Sequence, residues 1–195
     1  MTLSNTVLGL RAQKGGAVAV AIDADGPRVV LSTVLSTAPE GDRLALEPYA
    51  VAREMVLAGQ AVSQATVAVA EGRQRQDRAA AEGLRELASP RAALLVNRAG
   101  WITDLVSYSL EWAEHVPVAE GLAVRGALRA GCKACGIEIV EVDEKSLAER
   151  AVVALGLEAD EIDARLKAMG AGLKPWRKEQ KLAALAAWVA TVEVT

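Results

Sequence analysis

The sequence has no phenylalanine, only two tyrosines, two cysteines and a single histidine. Cys132 and Cys135 form a C-x-x-C pair at the predicted end of a helix, whereas redox cysteines with this spacing lie at a helix N-terminus, which lowers the thiol pKa. One histidine cannot supply the two further ligands that a structural zinc ion needs. We therefore expect two thiols that pack on a sheet, with neither a redox centre nor a zinc site.

The sequence also lacks an apolar run close to the roughly 20 residues that a membrane span requires. The first residues, MTLSNTV, include neither the basic segment nor the cleavage site of an export signal. The formal net charge of −3 gives no global field that would favour nucleic acid or a membrane. These features predict a cytoplasmic location and no membrane partner.

Hydrophobic residues make up 52% of the 195 positions, which is enough to bury the core of one domain over residues 1–195. Residues 6–37 contain three β-branched apolar runs, separated by turn signals at 13–16 and 23–26. Asp and Gly at these turns tolerate the backbone conformations of tight hairpins. We predict a three-stranded antiparallel meander.

The rest of the chain alternates helical patterns with two further apolar runs. Ala92–Val96 has the character of a buried parallel strand, and 137–142 alternates as a strand does. These runs predict an α/β fold with a mixed five-stranded sheet and flanking helices. The predicted helices are Pro48–Leu57, one capped by Ser63 and ending at Leu87, 103–114, one opened by Pro117 and ended by Gly136, one capped by Ser146 and ending at Leu155, Ala159–Met169, and Pro175–Thr191.

Three segments carry a resemblance to a known fold: VLGL at 7–10, AEGLAVRGALRAGCKACG at 119–136 with the strand after it, and KEQ at 178–180 before LAALAAWVA. In pattern and order they resemble the ribonuclease-H-like fold and, within it, the RuvC-type Holliday-junction resolvases. Residues 115–121, with Pro175-Trp176, Lys181 and Ala187-Trp188, also resemble a family of uncharacterised bacterial proteins, which implies no activity.

The RuvC resemblance implies enzymes that cut phosphodiesters with two metal ions held by carboxylates. It also implies an acid where Arg11 stands, another near Asn97, and two near Gln180 and Ala183. None of these positions is acidic here, and Glu179 is the only carboxylate near the last two. We therefore expect a catalytically degenerate domain with no cofactor and no tightly bound Mg²⁺.

Positive charge near the same positions predicts a site for phosphate. Arg11 and Lys14 lie on or beside the first strand, and a basic cluster surrounds the start of the last helix. Helix N-terminal amides and cations bind anions, and a tryptophan can stack on a base. The predicted nucleic-acid or phosphate contacts are Arg11, Lys14, Lys174, Trp176, Arg177, Lys178 and Lys181. The alternative is a solvated basic turn, with the Trp176 ring in the core and the Arg11 head in water.

The sequence leaves three other hypotheses open. A histidine beside a carboxylate can act as a general base, so His115, Glu120 and Asn97 define a rearranged phosphodiesterase or hydrolase site that would use Mg²⁺. A protein-binding scaffold, or a homodimer formed through an exposed Ala-rich helix, is another reading. Lys14-Gly15-Gly16 also suits the phosphate turn of actin-like ATPases, although these need an Asp on the first strand and a second domain. The leading hypothesis is a nucleic-acid- or phosphate-binding module with DNA or RNA as partner.

Overall fold

A computed structural model describes residues 5–97 and 101–193 of the chain. Within these residues a single five-stranded sheet has the strand order β3-β2-β1-β4-β5. The strands are β1 Thr6–Gln13, β2 Gly16–Asp23, β3 Val29–Ser36, β4 Arg91–Val96 and β5 Glu138–Asp143. The first three pair antiparallel, whereas β4 lies parallel to both β1 and β5. The predicted meander, parallel central strand and mixed sheet are confirmed.

Helices cover both faces of this sheet. In the described part of the chain they are α1 Arg43–Leu46, α2 Pro48–Leu57, α3 Val62–Leu87, α4 Leu105–Glu111, α5 Val116–Cys135, α6 Leu147–Leu155, α7 Ala159–Met169 and α8 Lys178–Val192. A single 3₁₀ turn, Ala113–His115, joins α4 to α5. No helix among the described residues is both long and apolar enough to cross a membrane.

Three predicted helix boundaries were wrong in detail. In addition, the short helix α1, which the sequence did not predict, begins after Asp42, whose side chain accepts a hydrogen bond from Ala45 N–H. The N-cap of α3 is Ala61 and not Ser63, and Gln64 Oε1 accepts from the Ala61 N–H. The predicted helix 103–114 is shorter, because Asp104 caps α4 at its start.

The last helix begins at Lys178, three residues after the predicted Pro175. The preceding Lys174–Pro175 peptide is cis, and Arg177 at the N-cap has extended backbone. The Trp176 side chain lies against α7, because its indole N–H donates to Leu166 O near the end of that helix. The chain therefore joins α7 to α8 in a fixed turn before the helix starts.

The contact between β1 and α8 fixes where the last helix lies. A Cβ on Gly9 would lie 1.8 Å from Ala183 O, so only glycine allows the two backbones to meet here. Farther along, Arg91 Nη1 donates to Ala190 O at 3.5 Å, at the amino end of β4. Helix α8 therefore runs from the carboxyl ends of β1 and β4 towards their amino ends, with its N-terminus at the carboxyl edge of the sheet.

The Ala-rich run of α8, residues 183–190, is buried throughout. Small side chains let this helix lie close to β1 and β2, which supply the apolar face beneath it. This run therefore offers no exposed surface for a dimer. The hypothesis of a homodimer formed through an exposed Ala-rich helix cannot apply to α8. Dimerisation by another surface stays a prediction.

Candidate functional site

The carboxyl ends of β1, β4 and β5 carry Arg11, Asn97 and Glu144. Arg11 lies two residues before the end of β1, and Asn97 directly follows β4, as predicted. Arg11 Nη2 donates to Glu144 Oε1 at 3.1 Å, across the end of the intervening strand β4. The Arg11 Nε is buried and has no hydrogen-bond partner among the described residues. The Glu144 carboxylate therefore accepts from one nitrogen of the Arg11 guanidinium and does not engage Nε.

A second guanidinium, that of Arg125 on α5, reaches the same edge. In the amide orientation that satisfies both of its polar atoms, Asn97 accepts from Arg125 Nη2 at 3.2 Å and donates to Val96 O at 3.3 Å. Arg125 Nη1 donates to Gly121 O, while its Nε is buried without a partner in the described residues. Arg125 therefore has amide and carbonyl acceptors but no carboxylate within ion-pair distance in that part of the chain.

The pKa of the Arg125 guanidinium is lowered from its usual value. Burial is the main cause, Glu144 opposes it, and the positive charges of Arg129 and Arg11 lower the pKa further. Arg129 is itself engaged by Glu141, and Arg11 by Glu144. Of these three arginines, Arg11 and Arg129 each pair with a carboxylate, whereas Arg125 has no ion-pair partner among the described residues.

The start of α8, around which four cations stand in the sequence, lies at this same edge. Lys178 is five residues before Ala183, about 7.5 Å along the helix, and Arg11 is two residues beyond Gly9, about 6.6 Å along the strand. Because Ala183 contacts Gly9, the start of α8 lies level with Arg11. Within residues 5–97 and 101–193, no ion pair engages these four cations, which are Lys174, Arg177, Lys178 and Lys181.

Lys14 and Trp176 have structural partners that the sequence did not reveal. Lys14 Nζ contacts Glu47 Oε2 at 2.7 Å, so its charge is compensated in the described structure. The half-buried Trp176 ring packs against Gly170, because a Cβ at that position would lie only 2.1 Å from the indole nitrogen. This placement matches the alternative in which Trp176 belongs to the core, and leaves base stacking by Trp176 as an untested prediction.

Glu120 lies buried beneath the start of α2. Its Oε1 accepts from the backbone N–H groups of Tyr49 at 2.8 Å and Ala50 at 3.0 Å, so a carboxyl of α5 caps a different helix. Its Oε2 is buried without a partner among the described residues. Burial raises the pKa of Glu120 to about 7, against the opposing effect of the two N–H groups.

His115 lies in an aromatic stack away from those contacts. Its ring lies parallel to that of Tyr108 with centroids 3.8 Å apart, and Nδ1 is 2.8 Å from Tyr108 O. The edge of the Trp101 ring in turn contacts Tyr108, at a centroid distance of 5.5 Å. Among the described residues no hydrogen bond or ion pair joins any two of His115, Glu120 and Asn97. The predicted catalytic set is therefore dispersed over three separate environments.

The residues missed by the sequence analysis are Arg125, Arg129 and Glu144. Arg125 and Arg129 are spaced i,i+4 on one helix, a like-charge pair that disfavours an isolated helix. In the small-residue segment GLAVRGALRAG, this pair was a usable signal for an anion. Glu144 had no such signal, since only the register of β5 beside β4 brings it to Arg11.

Comparisons with known proteins identify the class of fold. The chain matches the RuvC structure of Thermus thermophilus with a TM-score of 0.50 and 16% identity, over 95% of this chain and 93% of that chain. It also matches T. thermophilus RuvC in complex with a Holliday junction substrate with a TM-score of 0.52 and 11% identity, over 94% and 90%. No protein-family model and no curated protein matches the sequence. These likenesses show a RuvC-like, ribonuclease-H-like fold.

Proposed function

We propose that this chain is a binding module for the phosphate backbone of nucleic acid, built on a RuvC-like fold without a two-metal site. The observation that carries the proposal is the positive charge at the carboxyl edge, where Arg125 and the four cations around the start of α8 have no ion-pair partner among the described residues. Phosphate oxygens accept from guanidinium and from helix N-terminal amides. The solved RuvC complex with a Holliday junction supports a branched DNA ligand.

The chemistry of the side chains at this edge fits an anion better than Mg²⁺. Hard divalent cations take oxygen ligands, usually from several carboxylates. Arg11, Asn97 and Arg125 reach this edge without offering a carboxylate oxygen, and Arg11 already engages Glu144. Among the described residues no group of three or more His, Cys, Asp or Glu side chains is placed to hold a metal ion. Binding without cleavage is therefore the function that we assign to the edge.

The test is a salt titration of binding to three probes: a four-way DNA junction, a single strand and a linear duplex. Wild-type protein should bind the junction or the single strand, with a log–log salt slope of about −0.7 to −0.9 per phosphate contact. The variant Arg177→Glu, Lys178→Glu, Lys181→Glu should lose at least about a hundredfold in affinity at low salt. Its thermal midpoint should not fall, because the helix dipole disfavours cations at a helix N-terminus.

A matched control reverses three other exposed cations, Arg78, Arg85 and Lys133, and so changes the net charge equally. We expect a much smaller loss of affinity for this control variant. Equal losses in the two triple variants would show that only net charge matters and would contradict a site at the carboxyl edge. A wild-type protein that binds none of the three probes at low salt would overturn the proposal.

A further inference from the structure

The outer edge of β3 is a long strand edge with no strand beside it in the described structure. β3 lies at one end of the sheet order, and its eight residues, VVLSTVLS, include no charge and no proline. Proteins usually protect such edges with charged residues, prolines or short strands, because a free edge pairs readily with another chain. An eight-residue edge without these features indicates a surface suited to strand addition.

The register of β3 shows which backbone groups face outward. Thr37 N–H donates to Gly15 O, so the odd-numbered residues from Thr33 to Thr37 direct their backbone groups towards β2. Backbone groups alternate between the two sides along a strand. The N–H and C=O groups of Ser32, Val34 and Ser36 therefore face away from the sheet, ready to pair with one more strand.

A groove runs between this edge and α3. Its volume is about 390 Å³, and it is lined by Thr33–Ser36 and Pro39 on one side and by Glu82, Glu86 and their neighbours on the other. α3 comes close because Gly83 has no side chain: a Cβ there would lie 3.3 Å from Leu35 Cγ. Helix α3 therefore lines one side of the groove and does not cover the outer edge of β3.

The groove carries negative charge. Glu82 and Glu86 are both exposed, and no ion pair in the described part of the chain engages either of them. Residues spaced i,i+4 on a helix have Cβ atoms about 5–6 Å apart, and residues spaced i,i+2 on a strand lie about 6.6 Å apart. Two basic side chains at alternate positions of an added strand thus match the spacing of these two carboxylates.

We propose that the β3 edge binds an extended segment of a partner protein, which adds a sixth strand and places lysines or arginines at alternate positions against Glu82 and Glu86. The intervening side chains would lie on the opposite face, beside Val34, whose surface is 57% exposed. Main-chain pairing supplies affinity and alternate side chains supply specificity in this mode of recognition. A second copy of this chain is disfavoured, since β3–β3 pairing would bring the same acidic grooves together.

The probe is a ten-residue acetylated peptide of alternating lysine and valine, compared with a Lys₅Val₅ block peptide of the same composition. We expect the alternating peptide to bind at least about tenfold more tightly and to slow hydrogen exchange at the Val34 and Ser36 amides. Val34→Pro removes one outward N–H at an edge position that tolerates proline, and should weaken binding about tenfold. Glu82→Lys should weaken binding to a similar extent.

Asp163→Lys is the matched control, because Asp163 is an exposed acid on α7 away from the groove. Equal effects of Asp163→Lys and Glu82→Lys would overturn the proposal, as would equal binding of the two peptides. Failure of Val34→Pro to weaken binding, in a variant with an unchanged thermal midpoint, would also overturn it. A concentration-dependent dimer that Val34→Pro abolishes would show that the occupant is a second copy, and would contradict the partner assigned here.

Discussion

The two ends of the sheet differ in how many of their cations are paired with carboxylates. At the amino ends of the parallel strands, cations are neutralised: Arg91 makes a forked contact with Glu138, Arg150 with Glu193, and Arg28 contacts Asp23. At the carboxyl ends, Arg125 has no carboxylate partner among the described residues, and neither do the cations at the start of α8. The same fold therefore pairs these cations at one end, whereas at the other end some cations, such as Arg11 and Lys14, are paired and others are not.

This contrast separates two uses of a cation. A forked arginine–carboxylate contact fixes geometry and adds at most modest stability at a surface. A half-buried guanidinium without a carboxylate loses hydration and gains little in return, so it does not stabilise the free protein. An external anion at the carboxyl end would supply the missing partner. We therefore regard the amino end as structural and the carboxyl end as the functional one.

The largest effect is expected from moving α8, which carries the carboxyl-end cations. Gly9→Ala would place a methyl group 1.8 Å from Ala183 O, so the helix must shift or β1 must distort. We expect a loss of about 3 kcal/mol in the free energy of unfolding, measured by urea denaturation. DNA binding should fall as well, because the start of α8 would no longer lie level with Arg11.

Gly26→Ala is the control for Gly9→Ala, because a Cβ on Gly26 meets no atom within 4 Å. It should change the free energy of unfolding by less than about 0.5 kcal/mol. If Gly9→Ala were as stable as wild type, the close contact between β1 and α8 would not be what positions the cations.

The sequence predicted the sheet well because each strand carries a local signal. The Asp-Gly and Gly-Gly turns mark the meander, and the wholly apolar run before Asn97 is typical of a strand buried on both faces. Pro117 and Gly136 likewise mark the ends of α5 within a residue. These elements depend on residues that are neighbours in the chain, so periodicity and turn chemistry were enough.

The site was harder to predict because it depends on contacts between distant residues. Arg11 and Glu144 are 133 positions apart, and Glu120 caps a helix that begins 72 residues earlier. The sequence showed Glu120 only as an acid near the start of its own helix. No local pattern distinguishes a carboxyl that caps another helix from one that favours its own helix dipole, since tertiary packing decides which N–H groups it meets.

The second prediction concerns Glu120, a buried carboxyl on α5 that makes no ion pair with any described residue. Its pKa is raised to about 7 from 4.5, so the folded protein keeps a proton that the unfolded chain releases above pH 4.5. The associated stabilisation is complete below pH 4.5 and is lost as the pH rises through 7. We expect this group to reduce the free energy of unfolding by about 3 kcal/mol between those values.

Glu120→Gln isolates that effect, because the glutamine oxygen can still accept from Tyr49 and Ala50 N–H while the charge is removed. The difference between wild type and this variant, measured by urea denaturation from pH 4.5 to 8, should change steeply up to pH 7 and then level off. A constant difference across that range would show that Glu120 is ionised in the folded protein throughout.

The smallest effect tests the contrast most directly, by truncating one arginine at each end. Arg91→Met removes the forked contact with Glu138 and should lower the free energy of unfolding by up to about 1 kcal/mol. Arg125→Met should change it by less than about 0.5 kcal/mol. The lost bond to Asn97 is offset by relief of the repulsion from Arg11 and Arg129 and by the lower cost of burying a neutral side chain.

Inorganic phosphate distinguishes the two arginines even where their stabilities agree. A ligand that binds only the folded protein raises its stability in proportion to occupancy, so phosphate should raise the thermal midpoint of wild type above that in chloride at equal ionic strength. Arg91→Met should keep this increment, because its guanidinium lies at the opposite end of β4 from Asn97. Arg125→Met should lose a measurable part of it, because this variant removes the half-buried guanidinium that has no carboxylate partner among the described residues. Equal phosphate increments in the two variants would mean that the unpaired charge at the carboxyl end does not attract an anion, and the two ends would then differ only in how their side chains happen to pair.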